Sequence, residues 1–318
     1  GEFFEDQLST SLAYTLSDLR RENHSGNALF DWATGDFLGH EKTLNEFKSR
    51  GQTVGLYNTL RLHKDFETAF GVSYSHERGE GNNEKHSQNT KSIYLDQSFN
   101  FNDRFFNTLG IRYDKNSEFG GKVTYRATSR YNFTNFFALK GSVGTGFNAP
   151  NIYQLYDGFV GNRELKAETN VGFDLGMVYQ PTSDSQIELT YFYNRYKEMI
   201  DYFDLGNWQG EYRNLDRAKM QGIELAGDIR FNDERQLSAH YTYLSAKERA
   251  PGGSYKRMLR RPKHTLGASL NYAPMENLNL NLSGTYYSKR KDLGDQDLKA
   301  FALFDVAASY KINRNFAV

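Results

Sequence analysis

The sequence predicts an all-β chain, a transmembrane antiparallel β-barrel of about fourteen strands. Three observations predict it. Short polar turns alternate with long irregular stretches, so the connections are sorted by side. The segments between them alternate apolar and polar residues with period two. Aromatic residues make up 15% of the chain, with 22 Tyr and 24 Phe, although the mean hydropathy is −0.73. Aromatic girdles at both membrane interfaces and a polar lumen reconcile those two figures.

The turns come first. They are His63-Lys64-Asp65, Asn102-Asp103-Arg104, Thr134-Asn135, residues 181–184, 232–235 and 274–277, and Asn313-Arg314-Asn315. Between them, strands are expected to centre near residues 13, 54, 72, 96, 110, 128, 140, 174, 190, 225, 241, 268, 282 and 306. Roughly ten residues each suffices for a tilted strand to cross a bilayer. Leu278, Leu280, Leu282, Gly284 and Tyr286 form one row, opposed by Asn277, Asn279, Asn281, Ser283 and Thr285. Phe66, Thr68, Phe70, Val72 and Tyr74 repeat the pattern, as do Val171, Phe173, Leu175, Met177 and Tyr179. A helix would need apolar residues at i, i+3 and i+4, and these segments do not match that spacing. No run of 18 apolar residues is present, so no helix is expected to cross the membrane.

Composition narrows the function. The 39 basic and 39 acidic residues balance, which gives no electrostatic case for nucleic acid. Cysteine is absent, removing disulfides, thiolate metal sites and thiol nucleophiles. The seven histidines show no metal-ligand spacing, and no G-x-S-x-G elbow frames a serine. Neither a catalytic residue, a resident metal nor a cofactor is expected. Gly144 to Ala149 spell a G-x-G-x-x-A pattern, but Pro150 follows and no helical period comes after it, so a dinucleotide site is rejected.

The unusual chemistry lies in the expected long loops, near residues 20–44, 79–89, 146–165, 197–216, 246–262 and 287–300. Loops on that side of such a barrel face outward. They carry Trp32, Tyr202 and a basic cluster of Lys256, Arg257, Arg260 and Arg261. Candidate ligand-binding residues are Tyr153, Tyr156, Asp157, Trp208 and Tyr212.

One stretch carries a resemblance. Residues 145–156, TGFNAPNIYQLY, resemble the GFRAPxxxxLY stretch of TonB-dependent outer-membrane receptors, and 161–168, GNRELKAE, resemble their GNPNLKPE stretch. Residues 217–225 are similar to the family's R-x-x-GxE strand, and 259–264 to its L-x-R-x-P-x-H strand start. Lys289 to Asp292 and Phe304 to Tyr310 are similar to two later segments, so order and spacing agree from about 105 to 318. The motif positions are Phe147, Ala149, Pro150, Gly161, Asn162, Leu165, Glu168, Gly222, Glu224, Arg261, Pro262 and His264. Asn148 departs from the family's usual Arg or Lys. The layout is most similar to the cobalamin receptors, with siderophore and haem receptors as neighbours.

The resemblance implies a partial barrel domain over residues 1–318, part of a barrel of about 22 strands with a plugged lumen. The plug, the segment that binds TonB and the last strands are expected to lie outside this chain, which should start at about the seventh strand. It also implies a bacterial outer-membrane receptor, monomeric in the lipid bilayer, that is not an enzyme. Outward loops would capture a small-molecule chelate (cobalamin, an iron-siderophore or haem), and the TonB complex of the inner membrane would drive its uptake. The alternative is a passive porin or sugar channel.

Overall fold

The computed structural model describes residues 2–3, 7–31, 33–81, 84–206, 209–313 and 316. Fourteen long strands form one antiparallel sheet, each paired with its neighbours in sequence. They are β1 Leu8–Phe30, β2 Phe37–His63, β3 Phe66–Gly81, β4 Glu84–Phe101, β5 Phe105–Asn116, β6 Gly120–Asn132 and β7 Phe137–Asn148. After a loop with one short helix, α1 Ile152–Tyr156, come β8 Glu168–Thr182, β9 Ser185–Gly206, β10 Gln209–Asn232, β11 Arg235–Arg249, β12 His264–Met275, β13 Leu278–Tyr287 and β14 Phe301–Tyr310. Two-residue pieces at Glu2–Phe3 and Lys256–Arg257 join the sheet, and Arg290–Lys291 pairs with Asp297–Leu298 as a separate ribbon. Among the described residues the sheet does not close: its order runs from Glu2–Phe3 to β14, which pairs with β13.

The turns follow from their residues. At the β4–β5 hairpin, Asn102 and Asp103 both have positive φ, 54° and 53°, and Arg104 N–H donates to the Phe101 carbonyl at 3.2 Å. Asn and Asp tolerate the left-handed region, and a hairpin with both central residues there matches the twist of its strands.

The two faces of the sheet divide as the alternation predicts. On β8, Val171, Phe173, Leu175, Met177 and Tyr179 are all exposed, the row a lipid bilayer would cover. The opposite face is a ladder of polar contacts. Ser142 donates to Asp174, Ser92 to Asp114 at 2.5 Å, and Lys140 pairs with Glu188 at 2.5 Å. Each of these polar side chains meets a partner across the strands.

All fourteen expected centres fall within these strands, but the strands are longer than expected, from 10 to 27 residues. At about 3.3 Å per residue the longer ones reach well past an apolar band about 25 Å tall. Stretches expected as loops at 20–44, 79–89 and 197–216 are therefore mostly strand, as β1–β2, β3–β4 and β9–β10 continue pairing above the membrane. Polar side chains there do not interrupt pairing, because both faces are in water. The β5–β6 connection is also short: Asn116 Oδ1 accepts from Glu118 N at 2.8 Å and Phe119 N at 3.1 Å, closing a tight turn. True loops remain at 149–167, 250–263 and 288–300.

Candidate ligand-binding site

The loop 149–167 folds inward across the polar face, and the sheet extensions hold it there. The helix α1 is one turn long. Asn151 caps it, accepting from Gln154 N at 2.8 Å while Gln154 Oε1 accepts from Asn151 N at 3.1 Å. A helix was not expected after Pro150; the Asn151-x-x-Gln154 capping box is the signal that could have found it. Its first turn is occupied: Glu77 on β3 accepts from Ile152 N at 3.2 Å and from Gln88 Nε2 at 2.8 Å, and Gln88 also donates to the Pro150 carbonyl at 3.0 Å. Ile152, Leu155 and Leu165 are buried, and Ile152 comes beside Phe47 of β2 over Gly79 of β3.

The loop's return is as tightly built. Asp157, 5% exposed, accepts from the backbone N–H of Phe159 and of Val160, both at 3.0 Å, so its carboxylate is engaged inside the loop. A Cβ on Gly161 would fall 2.6 Å from Asp157 N, which only glycine avoids. Asn162 donates to the Tyr212 carbonyl at 2.8 Å, and Tyr212 N–H donates to Val160 O at 3.0 Å. Glu168 closes the loop onto β9, accepting from Ile200 N at 3.1 Å and from Asn148 at 3.2 Å.

These contacts assemble two aromatic groups. Tyr153 lies edge-on to Phe47 at 4.9 Å and to Tyr212 at 6.2 Å, and Tyr212 in turn meets Tyr202 at 5.8 Å. Arg21 of β1 sits over the Tyr153 ring at 5.0 Å. Burial first, and then the nearby Asp157 carboxylate, push the Tyr153 phenol up to about 12. In the second group Tyr156 stacks on His86 and carries Arg163 over its ring at 5.2 Å; Glu84 binds both His86, at 3.2 Å, and Arg163, at 2.5 Å.

Of the candidate residues, Tyr153 and Tyr212 thus meet in the first group, Tyr156 stands in the second, and Asp157 shapes the loop that carries both; Trp208 lies outside the described residues. Phe147, Ala149, Pro150, Gly161, Asn162, Leu165 and Glu168 belong to the same loop or its anchors. Gly222, Glu224, Arg261, Pro262 and His264 do not: they lie on β10 and around the start of β12, where His264 Nδ1 is 2.8 Å from the Tyr241 hydroxyl. A second loop folds inward there, with Met258 buried against Ala218 and Ala246. The basic cluster is partly neutralised, since Arg260 pairs with Asp292 at 2.6 Å. Sequence reading missed Arg21, Phe47, Glu77, Glu84, His86 and Gln88. Arg21, Glu84, His86 and Gln88 stood in stretches expected as loops, and nothing local in the sequence ties any of the six to residue 152.

Residues 2–318 match the model of the family described as TonB dependent receptor-like, beta-barrel. The chain belongs to that family. Among its relatives, the vitamin B12 transporter BtuB of Photobacterium profundum is 27% identical over 333 residues, covering 99% of this chain and 50% of that protein. An iron-regulated outer membrane virulence protein of Vibrio cholerae is 24% identical, covering 94% of this chain and 52% of its own length. The chain spans about half the length of these relatives. A point mutant of the ferric enterobactin receptor from Pseudomonas aeruginosa, solved with enterobactin, superimposes with a TM-score of 0.76 at 18% identity, over 100% of this chain and 54% of that one. The siderophore receptor PirA from Acinetobacter baumannii gives 0.74 at 17%, over 96% and 54%. These two likenesses show the fold alone. A TonB-dependent receptor barrel is an outer-membrane structure, and the relatives named as a vitamin B12 transporter and a ferric enterobactin receptor are not enzymes.

Proposed function

We propose that this chain is the barrel portion of an outer-membrane receptor that captures a scarce metal chelate on its outward side and imports it by TonB-coupled transport. The observation that carries the reading is the Tyr153–Tyr212–Tyr202 cluster with Arg21, held over the polar face by the loop 149–167. Ring faces and a guanidinium suit a ring-rich, polar or anionic chelate. The relatives named as vitamin B12 and ferric enterobactin proteins support cobalamin or a ferric siderophore as cargo, with haem as the remaining member of the class.

The domain organisation belongs to the same proposal. Unpaired edges cost several kcal/mol for each backbone group left in lipid. Further strands in the whole protein would close the sheet, and a plug inside the lumen would couple to the TonB complex. The assembled receptor would act as a monomer. The test is equilibrium binding of cobalamin, a ferric catecholate and haem to the full-length protein, beside single-channel conductance. Binding of one of them with a closed pore supports the receptor; an open pore that binds none would favour a passive channel.

A further inference from the structure

A cationic ladder crosses the outward face of β9–β11 at the edge of the apolar band. Tyr191, Ile223 and Tyr243 lie side by side on adjacent strands and are all exposed on the face that lipid would cover. Because side chains alternate, residues four positions further toward the long loops share that face. They are Arg195, Lys219 and Lys247, directly opposite one another, and Lys247 is in turn opposite Arg257. One step higher, Arg217 stands opposite Arg249. On the other side Arg195 is level with Val171, which is 51% exposed and belongs to the apolar row of β8.

Like charges placed directly opposite one another destabilise a sheet. Among the described residues, the one carboxylate in ion-pair range of these six cations is Asp216, against Arg249 and Arg217. Glu248, next in sequence to Lys247, falls on the opposite face. Tyr255 lies between Lys219, at 4.6 Å, and Arg249, at 5.3 Å, which fixes two of the cations without neutralising them. The Nε of Arg195 is buried with no hydrogen-bond partner. The basic rim on β1–β2 is different: Arg50 pairs with Asp18 at 2.6 Å, and Arg20 and Lys48 share Glu46, each at 2.7 Å. In a chain with equal numbers of acids and bases, the β9–β11 face is a local excess that an anion of several charges would complete.

We propose that this ladder binds the phosphorylated headgroup of an outer-leaflet glycolipid, its acyl chains lying along the apolar row below. The geometry suits such a lipid: phosphate oxygens would reach Arg195, Lys219 and Lys247 from outside, at the height where the bilayer turns from acyl chain to headgroup.

The test uses the full-length protein purified in detergent. Binding of a diphosphorylated lipid A is compared with its dephosphorylated form and with inorganic phosphate, for the native protein, for Lys219→Gln/Lys247→Gln, and for Lys91→Gln/Lys115→Gln, which removes another cross-strand lysine pair. The β10–β11 double variant should bind the diphosphorylated lipid at least about tenfold more weakly, with the Lys91/Lys115 variant unchanged. The lipid-free double variant should melt no lower than the native protein, because like-charge pairs have been removed. Addition of the lipid should raise the melting temperature of the native protein and of the Lys91/Lys115 variant more than that of the β10–β11 double variant. Equal loss in both variants, equal binding of the dephosphorylated lipid, or unchanged binding in Lys219→Gln/Lys247→Gln would overturn the proposal. Full competition by inorganic phosphate at matched concentration would also overturn it, making the ladder a free-anion site.

Discussion

The imidazole of His86 lies parallel to the phenol ring of Tyr156, with centroids 3.6 Å apart and planes within 5°. These residues are 70 positions apart in sequence, and their contact pins the inward-folded loop to the extension of β4. Removing either ring should free the loop's outer half at a cost of about 1 kcal/mol, the scale of an aromatic pair beyond its buried area. Hydrogen exchange of residues 153–163 in Tyr156→Ala measures this. Exchange as slow as in the native protein would mean that the stack contributes nothing.

The same corner should respond to acid. The hydrogen bond from His86, and then that from Arg163, hold the Glu84 carboxyl below its ordinary value of 4.5. A carboxyl depressed in the folded state stabilises it above the ordinary value, and that contribution is lost as pH falls through the depressed one. Loop protection should therefore be constant at neutral pH and weaken only on acidification below the ordinary carboxylate range. Glu84→Gln should flatten that part of the profile. A profile identical in the two proteins would remove Glu84 as its source.

Tyr153 titrates in the opposite sense. Its phenol is pushed from 10 to about 12, so the folded state favours the neutral form. That preference is fully present below pH 10 and disappears as pH rises from 10 to about 12. A phenolate absorbance titration of Tyr153→Phe should lose a component at the alkaline end of the native curve. Loss of a component near pH 10 instead would place Tyr153 in open solvent.

Glu77 should be the polar anchor of α1. Glu77→Ala leaves the Ile152 N–H without its acceptor and Gln88 Nε2 with the Pro150 carbonyl alone, a loss of about 1–3 kcal/mol where such groups stay buried. Glu77→Gln, which keeps one acceptor oxygen, should lose less. Thermal unfolding of the pair, with proteolysis of the loop, checks the order; equal values for the two variants would contradict it.

How far the sequence could be read follows from the range of each interaction. Period-two alternation is local, and it located every strand through rows such as Val171 to Tyr179. Turn chemistry is also local, and Asn102-Asp103 announced its hairpin. Strand ends above the membrane were not legible, because with water on both faces the outer part of the 23-residue strand Leu8–Phe30 needs no apolar row to pair. The loop 146–165 stood out through its Gly, Pro and Tyr spacing, but its receptors, Phe47, Glu77, Gln88 and Arg21, come from strands between 62 and 132 residues away from the helix contacts they make. Only strand register brings them there. The cationic ladder was invisible for the same reason: Arg195, Lys219 and Lys247 are isolated in sequence and become one row through pairing.

The central claim, that the Tyr153–Tyr212 cluster captures a metal chelate, is tested most directly by titrating full-length protein with cobalamin, a ferric catecholate and haem, before and after Tyr153→Ala/Tyr212→Ala. One of the three should bind with a Kd of roughly 1 μM or tighter, and the double variant should bind it at least about tenfold more weakly while keeping its strand content. Binding that is unchanged by the double substitution, or no binding of any of the three, would contradict it.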